Sequence, residues 1–435
     1  MMDYKEYEEI CELTGERLPE YLNKAPPFNK TLILKGFEPE NLIKELTQLI
    51  TKSKPKLIIR RLDVYLNIIL ANLVHVNSIK RFFVNYSARY NEYIVPKKYD
   101  PLQIGYRPFT KTIEVLLQLQ LIKRKVGYNI EPKKRSRIIA TKKLNLLIDK
   151  HHVNSSHLYQ LPIDEIQLKD KDKKFIDFRD TPTIKTYRTN IKKYNKLLSK
   201  TKVTLKETKE VKKYFKTKEY PLDTSNQSYH RVFSNGSWKE GGRFYGPWWQ
   251  YIVNDEEKIE LRQYLLINNK PTVELDYSSV HLHLLYNKEN KVCDNKNDAY
   301  TLTGLEHKRA FVKKAILIAI NLKSDRYFSQ TVANALKDHP QFEKGFSYKN
   351  MLKLFKEHHP DIAHYLFTGI GIKLQNTDSK ISEYIIKRMT NKSIPVLNIH
   401  DSFIVERKQQ QQLKQIMTKA FKYFKLKSIP TITIK

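Results

Sequence analysis

Apolar residues recur at helical spacing in two places in the first third of the chain. From Arg61 to Val74 the positions Leu62, Tyr65, Leu66, Ile69, Leu70 and Leu73 fall three or four apart, which predicts an amphipathic helix. Phe109 to Ile122 repeats the pattern, with Ile113, Leu116, Leu117 and Leu121 on one face. That segment runs into LIKRKVGYNI, a charged turn EPKKRS, and then RIIATKKL. Two short alternating runs around a basic turn predict a β-hairpin. Residues 1–55 read as a polar, mainly helical lead-in broken at Pro26-Pro27, and 150–184 as a polar connector of mixed charge. No internal repeat is visible.

The pattern changes in the last 200 residues. In KPTVELDYSSVHLHLLY a β-prone run, Thr272 to Leu275, delivers Asp276, and an apolar stretch with Val280, Leu282, Leu284 and Leu285 follows. In SIPVLNIHDSFIVE the apolar residues Ile394, Val396, Ile399, Phe403, Ile404 and Val405 frame His400-Asp401. This predicts a hairpin with a carboxylate at its turn. Two strands that each present one Asp at a polar break can set two carboxylates side by side, an arrangement suited to two Mg²⁺ ions. Mg²⁺ keeps several waters, so few protein ligands are needed.

Composition narrows the partner. The chain has 435 residues and a mass of 51.7 kDa, enough for two or three domains. Lys and Arg number 79 against 46 Asp and Glu, a formal net charge of +33, yet 40% of residues are hydrophobic, which argues against wholesale disorder. Only Cys11 and Cys293 are present, too few for a disulfide scaffold or a four-cysteine zinc site. No apolar run approaches the roughly 20 residues of a membrane span, and the acidic start MMDYKEYEEI lacks an apolar signal core. A soluble, intracellular (cytoplasmic) protein with a polyanionic partner is expected. Nucleic acid comes first and an anionic membrane surface second. Between Lys185 and Lys218 there are 13 Lys/Arg against Glu207 and Glu210, with Leu197, Leu198, Val203, Leu205 and Val211 interspersed. The run is either a solvated helix face or a basic arm over a duplex.

Two resemblances attach to these residues. The helix and basic hairpin of 106–148 resemble the tail of a winged helix-turn-helix, which implies a helix in the major groove and a hairpin on phosphate. Arg124, Lys133, Lys134 and Arg135 would be the phosphate contacts. The C-terminal half resembles family A DNA polymerases and their relatives, the single-subunit phage-type RNA polymerases. LDYSSVHLHLL is similar to the family's first catalytic strand and NIHDSFIV to its catalytic hairpin. HKRAFVKKAILIAIN is similar to the fingers helix, with Arg309 and Lys313 at the Arg-x3-Lys spacing. LQNTDSKISEYIIKRM is similar to the helix before the hairpin, and GGRFYGPWWQYI with ELRQYLLI to the upstream Gly-Arg segment.

The resemblance implies an α+β fold: a right-hand polymerase palm with small helical fingers and thumb, behind a mostly helical N-terminal region containing the winged-helix-like module. The implied segments are 1–55, 56–150, 151–235 and 236–435. It implies a template-dependent DNA polymerase without a proofreading exonuclease. Asp276 and Asp401 would hold two Mg²⁺, and Arg309 and Lys313 would grip the incoming nucleoside triphosphate. Tyr277, His281 and Asn321 would lie beside that nucleotide. Arg243, Gln375 and His400 would meet primer-template. Trp248 and Trp249 are expected in the core.

Departures open alternatives. His-Asp-Ser at the hairpin matches the phage-type RNA polymerases, whereas Asp-Tyr-Ser at the first strand matches DNA polymerases. The sugar-sensing Glu of DNA polymerases is replaced by His281, and the aromatic and Tyr of the fingers helix by Leu317 and Asn321. Synthesis of RNA or primers is the runner-up. A non-catalytic replication factor on a polymerase fold is a further alternative. An HD-type phosphohydrolase would require His400 and Asp401 on helices.

Overall fold

In a computed structural model the described residues are 25–79, 81–127, 135–217, 224, 226–252, 261–294 and 298–435. The chain is mixed α/β and includes a curled half-barrel sheet. It divides into two compact units. One comprises Met1–Asp164, Phe175–Asp177 and Lys212–Asp223; the other comprises Glu165–Lys174, Phe178–Val211 and Thr224–Lys435. Among the described residues no helix is long and apolar enough to cross a membrane.

The N-terminal unit is built around the helix Leu62–Ser78. The sequence suggested one apolar face, but ten of its residues are buried, from Tyr65 through Val76. A helix apolar on most sides becomes the centre of a core. The helices Phe37–Ser53 and Tyr106–Gln118 pack against it, burying Leu42, Leu46, Ile50, Phe109 and Leu116 in one cluster. Each such side chain contributes roughly 1.5–3 kcal/mol. The lead-in therefore shares its core with the following module instead of standing apart. Strand Leu32–Leu34 also pairs with Leu158–Gln160, and the Asn67 amide bonds both backbone groups of Leu34.

The helix anticipated to Ile122 stops at Gln118, because Gln120 takes a left-handed φ of 57° and the chain turns directly into strand Ile122–Lys125. That strand pairs antiparallel with Ser136–Ala140, as the hairpin pattern predicted. Strand Phe83–Tyr86 lies on the other side of Ser136–Ala140, completing a three-stranded sheet.

In the C-terminal unit the strand Lys270–Tyr277 runs through a six-stranded antiparallel sheet. Ser402–Glu406 lies along one edge. Leu265–Ile267 and Ile432–Ile434 share the other, and Leu397–Ile399 and Val203–Leu205 are outermost. Val203–Leu205 draws the basic segment, as far as Val211, into this unit. Its helix Pro182–Leu198 starts at a Thr181 cap, buries Ile184, Ile191, Tyr194 and Leu198, and leaves Lys192, Lys193 and Lys196 exposed. A second sheet orders Ile166–Leu168, His230–Ser234 and Ser237–Tyr245. The 21-residue helix Gly371–Asn391 packs across Ser237–Tyr245.

Candidate active site

The catalytic pair anticipated from the sequence meets at one point of the large sheet. Asp276 lies opposite Ser402 across the antiparallel pair, so Asp401 sits one residue away on the neighbouring strand's turn. The hairpin is tight, with Ile399 opposite Ser402 and only His400 and Asp401 between them. His400 takes a left-handed φ of 58°. The turn is held from below: Ser382 and the Asn398 amide donate to the His400 carbonyl at 3.0 and 2.8 Å. His400-Asp401 thus lies in a β-turn, without the helical presentation that an HD-type phosphohydrolase requires.

Both carboxyls are pushed above the ordinary carboxylate range. For Asp276 the causes are burial and then the charge of Asp401. For Asp401 they are burial and then the charge of Asp378. Three cations answer them. The Lys435 ammonium bonds Asp276 at 2.6 Å, Lys313 favours ionised Asp276 through space, and Arg243 favours ionised Asp401. Perturbed, mutually coupled carboxyls of this kind concentrate at functional sites.

Asp378 was not singled out from the sequence. It is 1% exposed on helix Gly371–Asn391. One of its oxygens accepts from Arg243 Nε at 2.8 Å and from Nη2 at 2.7 Å. Burial raises its pKa and Arg243 opposes the rise. Gln375 lies half-buried three residues earlier on the same helix, so the signal that flagged it could have flagged Asp378. Lys435 carried no sequence signal. It reaches the site because strand Ile432–Ile434 pairs beside Asp276.

Arg243 follows Gly241 and Gly242, with φ of 69° and 86°. Gly241 lets the strand close on Val232 and Ser234 of its neighbour, and Gly242 lets it approach the long helix. A Cβ on Gly242 would sit 2.7 Å from the Phe233 ring and 3.0 Å from Ser379 Oγ. The same Arg243 Nη2 lies 3.2 Å from His281 Nε2. Arginine cannot accept a hydrogen bond, so Nε2 accepts and the ring proton is assigned to Nδ1. Burial, then the nearby Arg243 charge, drives His281 down to about 4, and His281 is therefore neutral at pH 7. His400 is likewise driven down to about 4 by burial, with Arg243 next. Its ring meets Tyr245 edge-on, and its Nδ1 is buried without a hydrogen-bond partner among the described residues.

Other anticipated residues are placed differently. Lys313, on helix Arg309–Asn321, lies near enough to Asp276 and His281 to affect both. Arg309 is one turn away but binds Asp298 through Nε at 3.0 Å and Nη2 at 2.6 Å. Burial, the largest single influence, would raise Asp298, but the Arg309 bond and charge together with the Tyr300 amide and the Thr301 hydroxyl pull it down. Asn321 closes the helix end, donating to the Leu317 carbonyl at 2.7 Å and packing on Gly371. Tyr277 is a core residue. Its hydroxyl donates to the Met417 carbonyl at 2.7 Å and its ring meets Phe421. Alternation along the strand turns it to the face opposite Asp276. Trp248 and Trp249 are buried, as expected. In the N-terminal unit Arg124 is half-buried opposite Ile138, and Arg135 pairs with Glu92 at 3.0 Å. Lys133 and Lys134 lie outside the described residues.

Among the described residues no group of three or more His, Cys, Asp or Glu side chains is arranged to hold a metal ion. What the site offers is a pair of carboxyls on adjacent strands, raised by burial and like charge, with an ammonium already bound to Asp276. That donor chemistry fits Mg²⁺, which binds one or two carboxylates and takes its remaining ligands from water and substrate phosphate. It does not fit a closed zinc site. Scanned against models of protein families and against curated proteins, the chain matches none.

Proposed function

We propose that this protein is a template-dependent nucleotidyltransferase, a minimal relative of family A DNA polymerases that extends a primer and lacks a proofreading exonuclease. The observation that carries this reading is the placement of Asp276 and Asp401 on adjacent antiparallel strands, both raised by burial and like charge, with Lys313 close by. In this reading the six-stranded sheet is the palm and helix Arg309–Asn321 belongs to the fingers. Asp276 and Asp401 would hold two Mg²⁺, which when bound supply charge neutralisation at the attacking hydroxyl and the leaving pyrophosphate. The primer 3′ oxygen bonds to the α-phosphorus as the bond to pyrophosphate breaks, and the hydroxyl proton leaves to solvent. Lys313 meets the charge that gathers on the pyrophosphate. Arg309, tied to Asp298, would reach a triphosphate only by exchanging that partner.

The N-terminal unit supports the same reading. Its helix Tyr106–Gln118 and the following hairpin, with Phe83–Tyr86 as third strand, have the arrangement of a winged helix. We assign it to duplex nucleic acid, gripped through phosphate. The His400-Asp401-Ser402 sequence keeps RNA or primer synthesis as the second reading. The deciding experiment offers primed and unprimed DNA and RNA templates with dNTPs and NTPs in parallel. Mg²⁺-dependent extension of a DNA primer by dNTPs is the expected result. Unprimed synthesis from NTPs selects the second reading, and no incorporation under any combination rejects both.

A further inference from the structure

The two aspartates of the site are balanced by cations of different freedom. Arg243, which favours ionised Asp401, is pinned: two of its nitrogens converge on one oxygen of buried Asp378, and its own side chain is 15% exposed. Lys435, which bonds Asp276 directly, is 47% exposed along its side chain. A lysine is a point charge on a flexible four-carbon stem. This one can therefore leave its partner for solvent by side-chain rotation alone.

The backbone that carries Lys435 is, by contrast, fixed. Ser428 is wholly buried. Asn287, on helix Val280–Lys288, bonds both backbone groups of Ser428 at 2.8 Å. The Ser428 hydroxyl accepts from the Cys293 amide at 2.9 Å and lies 2.8 Å from His283 Nδ1. From this anchor the chain runs out beside the Asp276 strand. The Thr431 carbonyl accepts from the Ser278 amide at 2.9 Å, Thr433 lies opposite Asp276, and the Lys435 amide donates to the Glu274 carbonyl at 3.0 Å. Thr433 and Lys435 are two apart on an extended chain and share a face. The Lys435 side chain thus lies diagonally across from Asp276, within the reach of a long side chain, and its ammonium sits 2.6 Å from Asp276 Oδ2. A divalent cation bound through that oxygen would meet the ammonium at close range, where like charges repel strongly.

We propose that Lys435 is a resident counter-ion that a divalent cation must displace from Asp276, so that this lysine sets the metal affinity of the site. The ammonium holds the Asp276 carboxylate in place until a metal arrives, then turns to solvent as the metal takes its oxygen. The backbone of 428–435 stays where it is, and one cation exchanges for another without any covalent change. The metal rests on the nucleotidyltransferase reading above; the Lys435 contact does not. Giving up one charge-assisted hydrogen bond weakens metal binding by about tenfold.

The test uses the full chain without nucleotide, with Mn²⁺ as the probe. Bound Mn²⁺ is measured from the electron paramagnetic resonance of the free ion, and melting temperature is measured with and without Mn²⁺. Lys435→Met removes the ammonium and keeps the stem. It should bind Mn²⁺ about tenfold more tightly than the unsubstituted chain, and Mn²⁺ should raise its melting temperature by more. Lys435→Arg keeps a cation at the position and should stay near the unsubstituted affinity. Lys427→Met removes one charge from an exposed position just before the Ser428 anchor, and should change the affinity by less than about twofold, since exposed charges are screened. Asp401→Asn identifies the site, because Mn²⁺ held by the aspartate pair is lost in it. Equal affinities in Lys435→Met and the unsubstituted chain, with binding lost in Asp401→Asn, overturn the displacement and leave the metal site standing. An equal gain in Lys427→Met makes the effect one of net charge and overturns the role of the contact. Binding unaffected by Asp401→Asn, or absent even from Lys435→Met, removes the metal site, and with it both this proposal and the two-metal reading.

Discussion

The two units treat their buried ionisable groups differently. In the N-terminal unit buried Asp100 and half-buried Lys30 make their hydrogen bonds to the backbone and face each other as one opposite-charge pair, with Asp100 Oδ1 left without a hydrogen-bond partner among the described residues. Asp100, 3% exposed, accepts from the Ile104 amide at 3.0 Å, and Lys30 donates to the Glu92 carbonyl at 2.7 Å. In the C-terminal unit they answer one another. Asp276, Asp378 and Asp401 are all pushed up, partly by each other, and are balanced by Arg243, Lys313 and Lys435. Backbone bonds are indifferent to a passing substrate and serve to hold a fold. Side chains held at a cost by like charge lower that cost when a cation arrives. The first unit thus reads as a scaffold carrying basic surface, and the second as a place where charge can be exchanged.

The sharpest way to break this comparison is to remove one carboxylate. A carboxyl whose pKa is higher folded than unfolded protonates more readily in the folded state. Its ionisation therefore subtracts stability as pH rises past the ordinary carboxylate range, and the loss is complete once pH exceeds the raised folded-state pKa. Asp401→Asn should lower nucleotide incorporation by at least about 10³-fold, several kcal/mol of barrier, while raising the melting temperature at pH 7. Asp276→Asn should match it in activity but gain less stability, because it also loses the Lys435 ion pair. A destabilised Asp401→Asn protein with near-normal incorporation would show that the pair is structural.

The next effect is read in salt. Replacing Lys133, Lys134 and Arg135 by Ala should flatten the slope of log K for duplex DNA against log salt by up to about three, since each phosphate contact contributes about 0.9. Extension of a saturating short primer-template should stay nearly unchanged. Because Arg135 already pairs with Glu92, its share should be the smallest of the three. An unchanged slope would make the basic hairpin a solvated turn.

The smallest effect concerns acid. His230, His281, His283, His359 and His400, all in the C-terminal unit, are driven down to about 4, burial being the first cause in each. Between their unfolded value near 6.5 and 4 the unfolded chain binds the extra protons, so stability falls as pH falls through that window. The three raised carboxyls act in the opposite sense, while Asp298, Glu306 and Glu343, held low, act with the histidines. All three tryptophans, Trp238, Trp248 and Trp249, also belong to this unit. Tryptophan fluorescence should therefore show its melting temperature dropping as pH falls below 6.5, and dropping further in Asp401→Asn. A melting temperature level from pH 7 to 5 would contradict the burial of these histidines.

Much of the site was legible because it is local. The hairpin around His400-Asp401 and the strand ending at Asp276 follow from alternation and a polar break within about ten residues, and Lys313 from the face of one helix. Tyr277 lies in the core although adjacent to Asp276, since the strand's pleat sends neighbours to opposite faces and burial then selects the ring. Arg309 was assigned through the resemblance of its helix to the fingers helix, and after folding it is bonded to Asp298.

By itself, then, the sequence determined the periods, the breaks and the two aspartates, all set by interactions between residues a few positions apart. Only the tertiary structure decided that Asp378 would meet Arg243 from 135 residues away, that Lys435 would reach Asp276, and that Gly242 would lie against Ser379 of the long helix. Charges choose partners by distance and dielectric in space, and neither quantity exists until the chain has packed.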